Sequence, residues 1–212
     1  MLPKLEASLR AAIERLPGTL AQLRMSPNPR MPWDPSRFPD GGRDAAALLL
    51  LYPHAGDWHL PLTVRGSDLR HHTGQVSLPG GRVDAGESIE AAALREAAEE
   101  VGVDPEAVRV IGQLTPVRIP ISGYVLHPVI GIADARPEFR PDDWEVARLI
   151  EVPLESLRDT SIVQIAHRTR EVDGRVEEME VPCFAIDGEQ VWGATAMVLA
   201  EFLAVLESVG DM

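Results

Sequence analysis

The chain has 212 residues, 45% hydrophobic and 25% charged, which fits one globular domain with a sizeable core and excludes collagen-like, low-complexity and disordered classes. Thirty-three acidic against twenty basic side chains give a formal net charge of -13, a balance that opposes binding to nucleic acid. The lone Cys183 cannot form an internal disulfide, and the longest apolar run, Ala45 to Tyr52, is far short of the roughly 20 residues that span a bilayer. With no targeting signal in view, a cytoplasmic protein with no membrane contact and an inert, buried thiol is expected.

In chain order, Leu2, Leu5, Leu9, Ile13 and Leu16 recur at helical spacing, which predicts an amphipathic helix ended near Pro17-Gly18 and packed on the core. Met25 to Arg43 is crowded with proline, glycine and aspartate and is expected to be an irregular connector. Residues 1–43 are thus an N-terminal helix and Pro-rich connector packed on a domain of residues 44–210.

The run AAALLLLYP predicts a buried strand, and HLPLTVR its hairpin partner, with Pro61 tolerable at an edge or bulge. RVIGQLTPVR, YVLHPVIGIA and ARLIEV predict further strands. SIVQIAHRTREV and VEEMEVPCFAI read as a hairpin around Asp173-Gly174, and helical spacing returns from Ala194 to Leu206. The fold class expected is α/β (α+β): a mixed sheet with helices packed on it.

The chemistry-bearing stretch runs from Gly80-Gly81 through Glu87 to Arg95-Glu96-Ala97-Ala98-Glu99-Glu100-Val101-Gly102-Val103. Its second half reads as a helix capped by Ser88, with Glu90 in the first turn and Gly102 as the stop. Leu94, Ala98 and Val101 predict its apolar stripe. Glu96, Glu99 and Glu100 stand at i, i+3 and i+4, where like charges destabilise an isolated helix unless a cation relieves them. Hard oxygen ligands suit Mg2+ or Mn2+. A solvated acidic helix face is the plainer alternative. The double glycine, which lets backbone approach a ligand, and Arg95, which can orient a glutamate, argue for a site.

Residues 81–103 resemble the Nudix box, G-x5-E-x7-R-E-U-x-E-E-x-G-U, at Gly81, Glu87, Arg95, Glu96, Glu99, Glu100, Gly102 and Val103, with Ala97 smaller than the usual aliphatic residue. The resemblance implies a Nudix hydrolase with an α/β/α sandwich and a loop-helix-loop catalytic motif. It implies Glu96 and Glu100 as principal metal ligands and Glu99 as a further ligand or the water-activating base. Arg95 belongs to the catalytic set as a structural support, together with Glu87. Glu145, beyond the box, is a candidate further ligand or general base, or else an exposed loop acid.

Upstream, Leu62 to Gly81 resembles the accessory motif of coenzyme A pyrophosphatases, keeping Thr63, Arg65, Arg70, Gly74, Pro79, Gly80 and Gly81. Pro61, Gly66 and Leu78 replace the family's leucine, Ser/Ala and phenylalanine. The resemblance assigns substrate binding to Arg65, Arg70, Gly80 and Gly81, and guanidinium groups suit the phosphates of coenzyme A. His71 and His72 read as loop residues. The tryptophans read as core or loop anchors, with Trp192 alone inside a family-like segment. The implied substrate is coenzyme A, cleaved to 3′,5′-ADP and 4′-phosphopantetheine. The alternatives are another nucleoside diphosphate derivative (NADH, ADP-ribose, a dinucleoside polyphosphate, a damaged nucleotide) or a non-catalytic ligand-sensing Nudix domain. The sequence leaves a homodimer open.

Overall fold

The computed structural model describes residues 2–66, 75–172 and 174–209. Helix α1 (Leu2–Ile13) buries Leu5 and Leu9 in the core, as their spacing requires. Helix α2 (Thr19–Gln22) follows Gly18, and an irregular connector then leads to strand β1 (Arg43–His54).

A two-residue turn at Ala55-Gly56 returns the chain as β2 (Asp57–Arg65). The short β3 (Val76–Ser77) and β4 (Gly80–Arg82) lead into α3 (Ile89–Val101). Strands β5 (Val108–Gln113), β6 (Val117–Ile119), β7 (Tyr124–Ala133) and β8 (Val146–Pro153) complete one sheet. After α4 (Leu154–Arg158), β9 (Val163–Val172), β10 (Arg175–Ile186) and β11 (Glu189–Trp192) form a three-stranded antiparallel sheet. Helix α5 (Gly193–Val209) ends the described chain.

Strand β1 organises the molecule. Along one side it pairs in parallel with β7 from Arg43 to Leu51. Along the other it pairs antiparallel with β4 at Ala45 to Ala47 and with β2 at Tyr52 to His54. The sheet is therefore mixed.

Because strand side chains alternate faces, the buried run of β1 feeds two cores. Ala46, Leu48, Leu50 and Tyr52 meet α3. Ala47, Leu49 and Leu51 meet the layer of α1 and α5. The result is the helix-sheet-helix sandwich expected.

Of two local expectations, that for Pro61 holds and that for the α3 stripe is corrected. Pro61 sits at a local edge: it faces Glu151 of β8 on one side, in the stretch where β2 has left β1 after His59 and not yet met β3 at Thr63 on the other. Its missing N–H costs no ladder bond on that open side. The buried stripe of α3 is Ala92, Ala93, Ala97 and Val101, with Leu94 and Ala98 only half-buried. Small side chains let the helix lie close on the sheet, so Ala97, smaller than the usual aliphatic residue, serves a tight contact.

A buried polar knot ties the N-terminal segment to the core. Glu201 on α5 is 0% exposed and accepts from the Gly18 N–H, the Gln22 side-chain amide, and the Thr115 N–H and hydroxyl. A buried carboxylate so surrounded is stabilising, but its removal orphans every donor. Cys183 is also buried, and burial pushes its thiol up. Among the described residues no helix is long and apolar enough to cross a membrane. Replacing Glu201 with Ala is expected to cost about 3 kcal/mol in urea unfolding and to expose residues 2–22 to limited proteolysis; unchanged stability would contradict the tethering role.

Candidate active site

The site begins where β4 is pressed against β1. A Cβ on Gly80 would collide with the Ala46 carbonyl oxygen and the Ala47 backbone, and one on Gly81 would collide with the Glu96 carboxylate. Glycine here is a steric requirement, because backbone and carboxylate share the space a side chain would fill. The chain then turns at Asp84, whose N–H donates to Glu87 Oε2 at 3.1 Å. It enters α3 through Ser88, whose hydroxyl accepts from the Ala91 N–H, and Gly102 ends the helix, as expected for both caps.

Arg95 spends all five guanidinium donors. Nε and Nη2 hold Glu87 in a two-bond fork at 2.9 and 3.0 Å. Nη2 also reaches the Arg82 carbonyl at 2.9 Å. Nη1 donates to Glu96 at 2.9 Å and Glu99 at 3.1 Å. One side chain thus locks the loop, the strand end and two box glutamates together. The fork holds the Glu87 carboxyl below its ordinary range.

Glu96 and Glu100 face the sheet. Glu100 is 3% exposed, accepts from the Gly80 N–H at 3.1 Å and has Arg65 Nη1 at 3.8 Å. Burial pushes its carboxyl up to about 7, against the Gly80 bond and Arg65, with the charges of Glu145 and Glu96 adding to the rise. Burial likewise raises Glu96, against Arg95. These are two carboxylates disfavoured as bare anions, lying beside backbone that only glycine permits.

The convergence of all three box glutamates is only partly realised. Glu99 turns outward, its side chain 59% exposed and paired with Arg95. Among the described residues no three His, Cys, Asp or Glu side chains stand together as a ready metal cluster. The donor set nonetheless fits a hard divalent cation: the buried Glu100 and the half-buried Glu96 offer all-oxygen ligands whose mutual repulsion a cation relieves.

Glu145 is brought to this pair by backbone bonds. The Arg140 and Asp142 N–H groups donate to the Val101 and Glu100 carbonyls at the end of α3, and Gly66 N–H donates to the Glu145 carbonyl. The Asp142 carboxylate caps the turn by accepting from the Trp144 and Glu145 N–H groups. Glu145 stays exposed, yet its charge acts on both Glu96 and Glu100. The strap packs closely on Gly66, where a Cβ would sit 3.1 Å from the Trp144 carbonyl oxygen, a tight contact that a shift of a few tenths of an ångström would relieve.

Arg65, at the end of β2, meets the site through Glu100. Arg70, His71 and His72 lie outside the described residues. Leu78 belongs to the core facing α5. A groove that sequence reasoning missed, of about 1090 Å3, runs between the connector, the segment from Pro116 to Ile121 and the start of α5. No box glutamate lines it. It borders the site at Gln75, whose carbonyl accepts from the Arg65 N–H.

The NUDIX domain family matches residues 42–172, so the chain belongs to that family, in which divalent metal ions are generally used. Among its relatives, a protein of Pectobacterium atrosepticum described as an uncharacterized Nudix hydrolase, NudL, is 37% identical over 158 residues, 74% of this chain and 79% of the relative. The NudL of Photorhabdus laumondii is 34% identical over 171 residues, 80% of this chain and 88% of the relative. In fold, the Nudix hydrolase RenU of M. smegmatis superposes with a TM-score of 0.54 at 22% identity, over 81% of this chain and 89% of that one. The protein is an enzyme of the Nudix class, a pyrophosphatase acting on phosphorus-containing anhydrides of nucleoside diphosphate derivatives.

Two outcomes follow from the geometry. A Glu100 carboxyl raised from 4.5 to about 7 means the folded state holds that proton more tightly. Its contribution to stability is therefore largest below pH 4.5 and is lost as pH rises to 7, by about 3 kcal/mol. In EDTA at pH 8, Glu100→Gln should unfold at a higher temperature than the unmodified protein, the gap closing towards pH 4.5. Mg2+ should stabilise only the unmodified protein; a less stable Glu100→Gln at pH 8 contradicts this account.

Arg95→Lys keeps the charge but loses the fork. It is expected to weaken apparent Mg2+ affinity or turnover by roughly 10- to 100-fold, read by a metal titration of activity. Wild-type values would remove Arg95 from its positioning role.

Proposed function

We propose that the enzyme hydrolyses the diphosphate of coenzyme A or its derivatives, giving 3′,5′-ADP and 4′-phosphopantetheine. The observation that carries this reading is Arg65. It belongs to the upstream Thr63-x-Arg65 stretch, and its guanidinium lies 3.8 Å from Glu100. A cation of the coenzyme A motif thus stands beside the box carboxylates in a chain of net charge -13. Arg70 belongs to the same motif.

Bound Mg2+ or Mn2+ supplies neutralisation of the diphosphate and a more acidic water. Glu96 and Glu100 would hold it, and Arg95 keeps Glu96 oriented while its fork to Glu87 fixes the loop. The Gly80 and Gly81 backbone lets the diphosphate approach without a side chain between. Arg65 faces the phosphates. The proton of the attacking water passes to a carboxylate that is open to solvent and near Glu96 and Glu100, which Glu99 and Glu145 both are. Water adds to one phosphorus, the P–O–P bridge breaks, and the bridging oxygen leaves with the other phosphate. No covalent enzyme intermediate is required.

Mass spectrometry of a coenzyme A digest with Mg2+ should give 3′,5′-ADP and 4′-phosphopantetheine, with one solvent oxygen from labelled water. Dephospho-coenzyme A should give 5′-AMP in place of 3′,5′-ADP. A higher kcat/KM for NADH, ADP-ribose or a dinucleoside polyphosphate would overturn the substrate assignment while leaving the hydrolase intact.

A further inference from the structure

The groove beside the site carries charge that the fold itself leaves unused. Arg118, at the centre of β6, lies with its guanidinium 5.6 Å from the centre of the Trp33 ring. Arg30 borders the same groove from the connector. Both are exposed, and neither makes an ion pair or side-chain hydrogen bond among the described residues, whereas Arg170 on the same wall is spent on Glu177 at 2.9 Å. Among the described residues, Glu171 is the one acid of the lining. An arginine resting on an indole is positioned without a counter-ion and keeps its donor fork free.

The remaining walls are mainly apolar, including Met31, Trp33, Ile121, Trp192 and Met197, with a few neutral polar side chains such as Gln22 and Thr169. The volume, about 1090 Å3, exceeds the roughly 300 to 1000 Å3 common for ligand pockets. A flat aromatic group next to an anion suits that mixture.

The groove is also close enough to the box. His127, on its lining, is in register with Ala46 of β1, and Ala46 with Gly81 of β4. Two strand spacings, about 9 to 10 Å, therefore separate His127 from the glycine that abuts Glu96. Gln75 makes the second link, through Arg65.

Resting on the coenzyme A reading, we infer that this groove receives the nucleoside end of the substrate and that Arg118 and Arg30 bind a phosphomonoester carried on that nucleoside. The N-terminal connector then does more than cover the core: through Arg30 and Trp33 it completes a subsite that distinguishes a 3′-phosphorylated nucleotide from one lacking the group. The strong net negative charge of the chain makes such local cations necessary, because an anionic ligand gains nothing from the overall field.

The test compares coenzyme A with dephospho-coenzyme A in Arg30→Gln, Arg118→Gln and the double variant. All are surface changes that leave the core intact. The double variant should lower kcat/KM for coenzyme A roughly tenfold more than for the dephospho substrate. Trp33→Ala should lower both together. Equal losses on both substrates in the double variant, as expected if the pantetheine arm occupied the groove, overturn the phosphomonoester assignment, and so does no loss on either.

Calorimetry with 3′,5′-ADP and 5′-AMP separates this proposal from the substrate reading. If coenzyme A proves a poor substrate but the protein prefers 3′,5′-ADP and the double variant loses that preference, the subsite stands and the coenzyme A reading falls. No preference in the unmodified protein overturns the subsite.

Discussion

Two carboxylates held against the edge of a sheet set the terms for much of the molecule. Glu96 and Glu100 are drawn out of water by α3 lying flat on β1 and β4, and burial raises both. That arrangement requires hydrogen as the side chain at residues 80 and 81, where any Cβ strikes β1 or Glu96. It also requires the small buried face of Ala92, Ala93 and Ala97 against Ala46. Larger residues at these positions would lift the helix off the sheet and return the carboxylates to solvent.

Such an arrangement works against stability unless something offsets it. Part of the offset is internal: the Gly80 N–H, Arg65, and the complete use of the Arg95 donors. A divalent cation held there, as proposed, would offset the rest by neutralising the two carboxylates. The metal-ligand role proposed for Glu100 would therefore set function against folding stability there, a common feature of sites with buried charge.

The rest of the site arrives from far along the chain. The 140–145 segment is strapped to the last carbonyls of α3 and to Gly66. The connector and β6 wall the adjoining groove. Glu201, buried in α5, fastens Gly18, Gln22 and Thr115 at one point. That knot holds the start of the connector beside the groove, so a buried carboxylate far from the chemistry still bears on the shape of the pocket.

What the sequence by itself determined is local. The box helix with its Ser88 and Gly102 caps, the buried β1 and the hairpins all follow from residues within a few turns or strand lengths of one another, where spacing translates directly into geometry, while the Arg95–Glu87 support was implied by the resemblance to the Nudix box. The alanine stripe of α3 was less legible, because periodicity marks Leu94 as readily as Ala93, and only the closeness of the sheet decides between them. The outward turn of Glu99 was hidden for a related reason: i, i+3 spacing places a Cβ, while Arg95 and solvent decide where the carboxylate goes. Tertiary structure alone decided that Glu145 acts on Glu96 and Glu100, that Arg65 faces Glu100, and that Arg30, Trp33 and Arg118 share one groove. Those residues are brought together by sheet register and backbone straps between segments far apart in the chain, and no local pattern records such contacts.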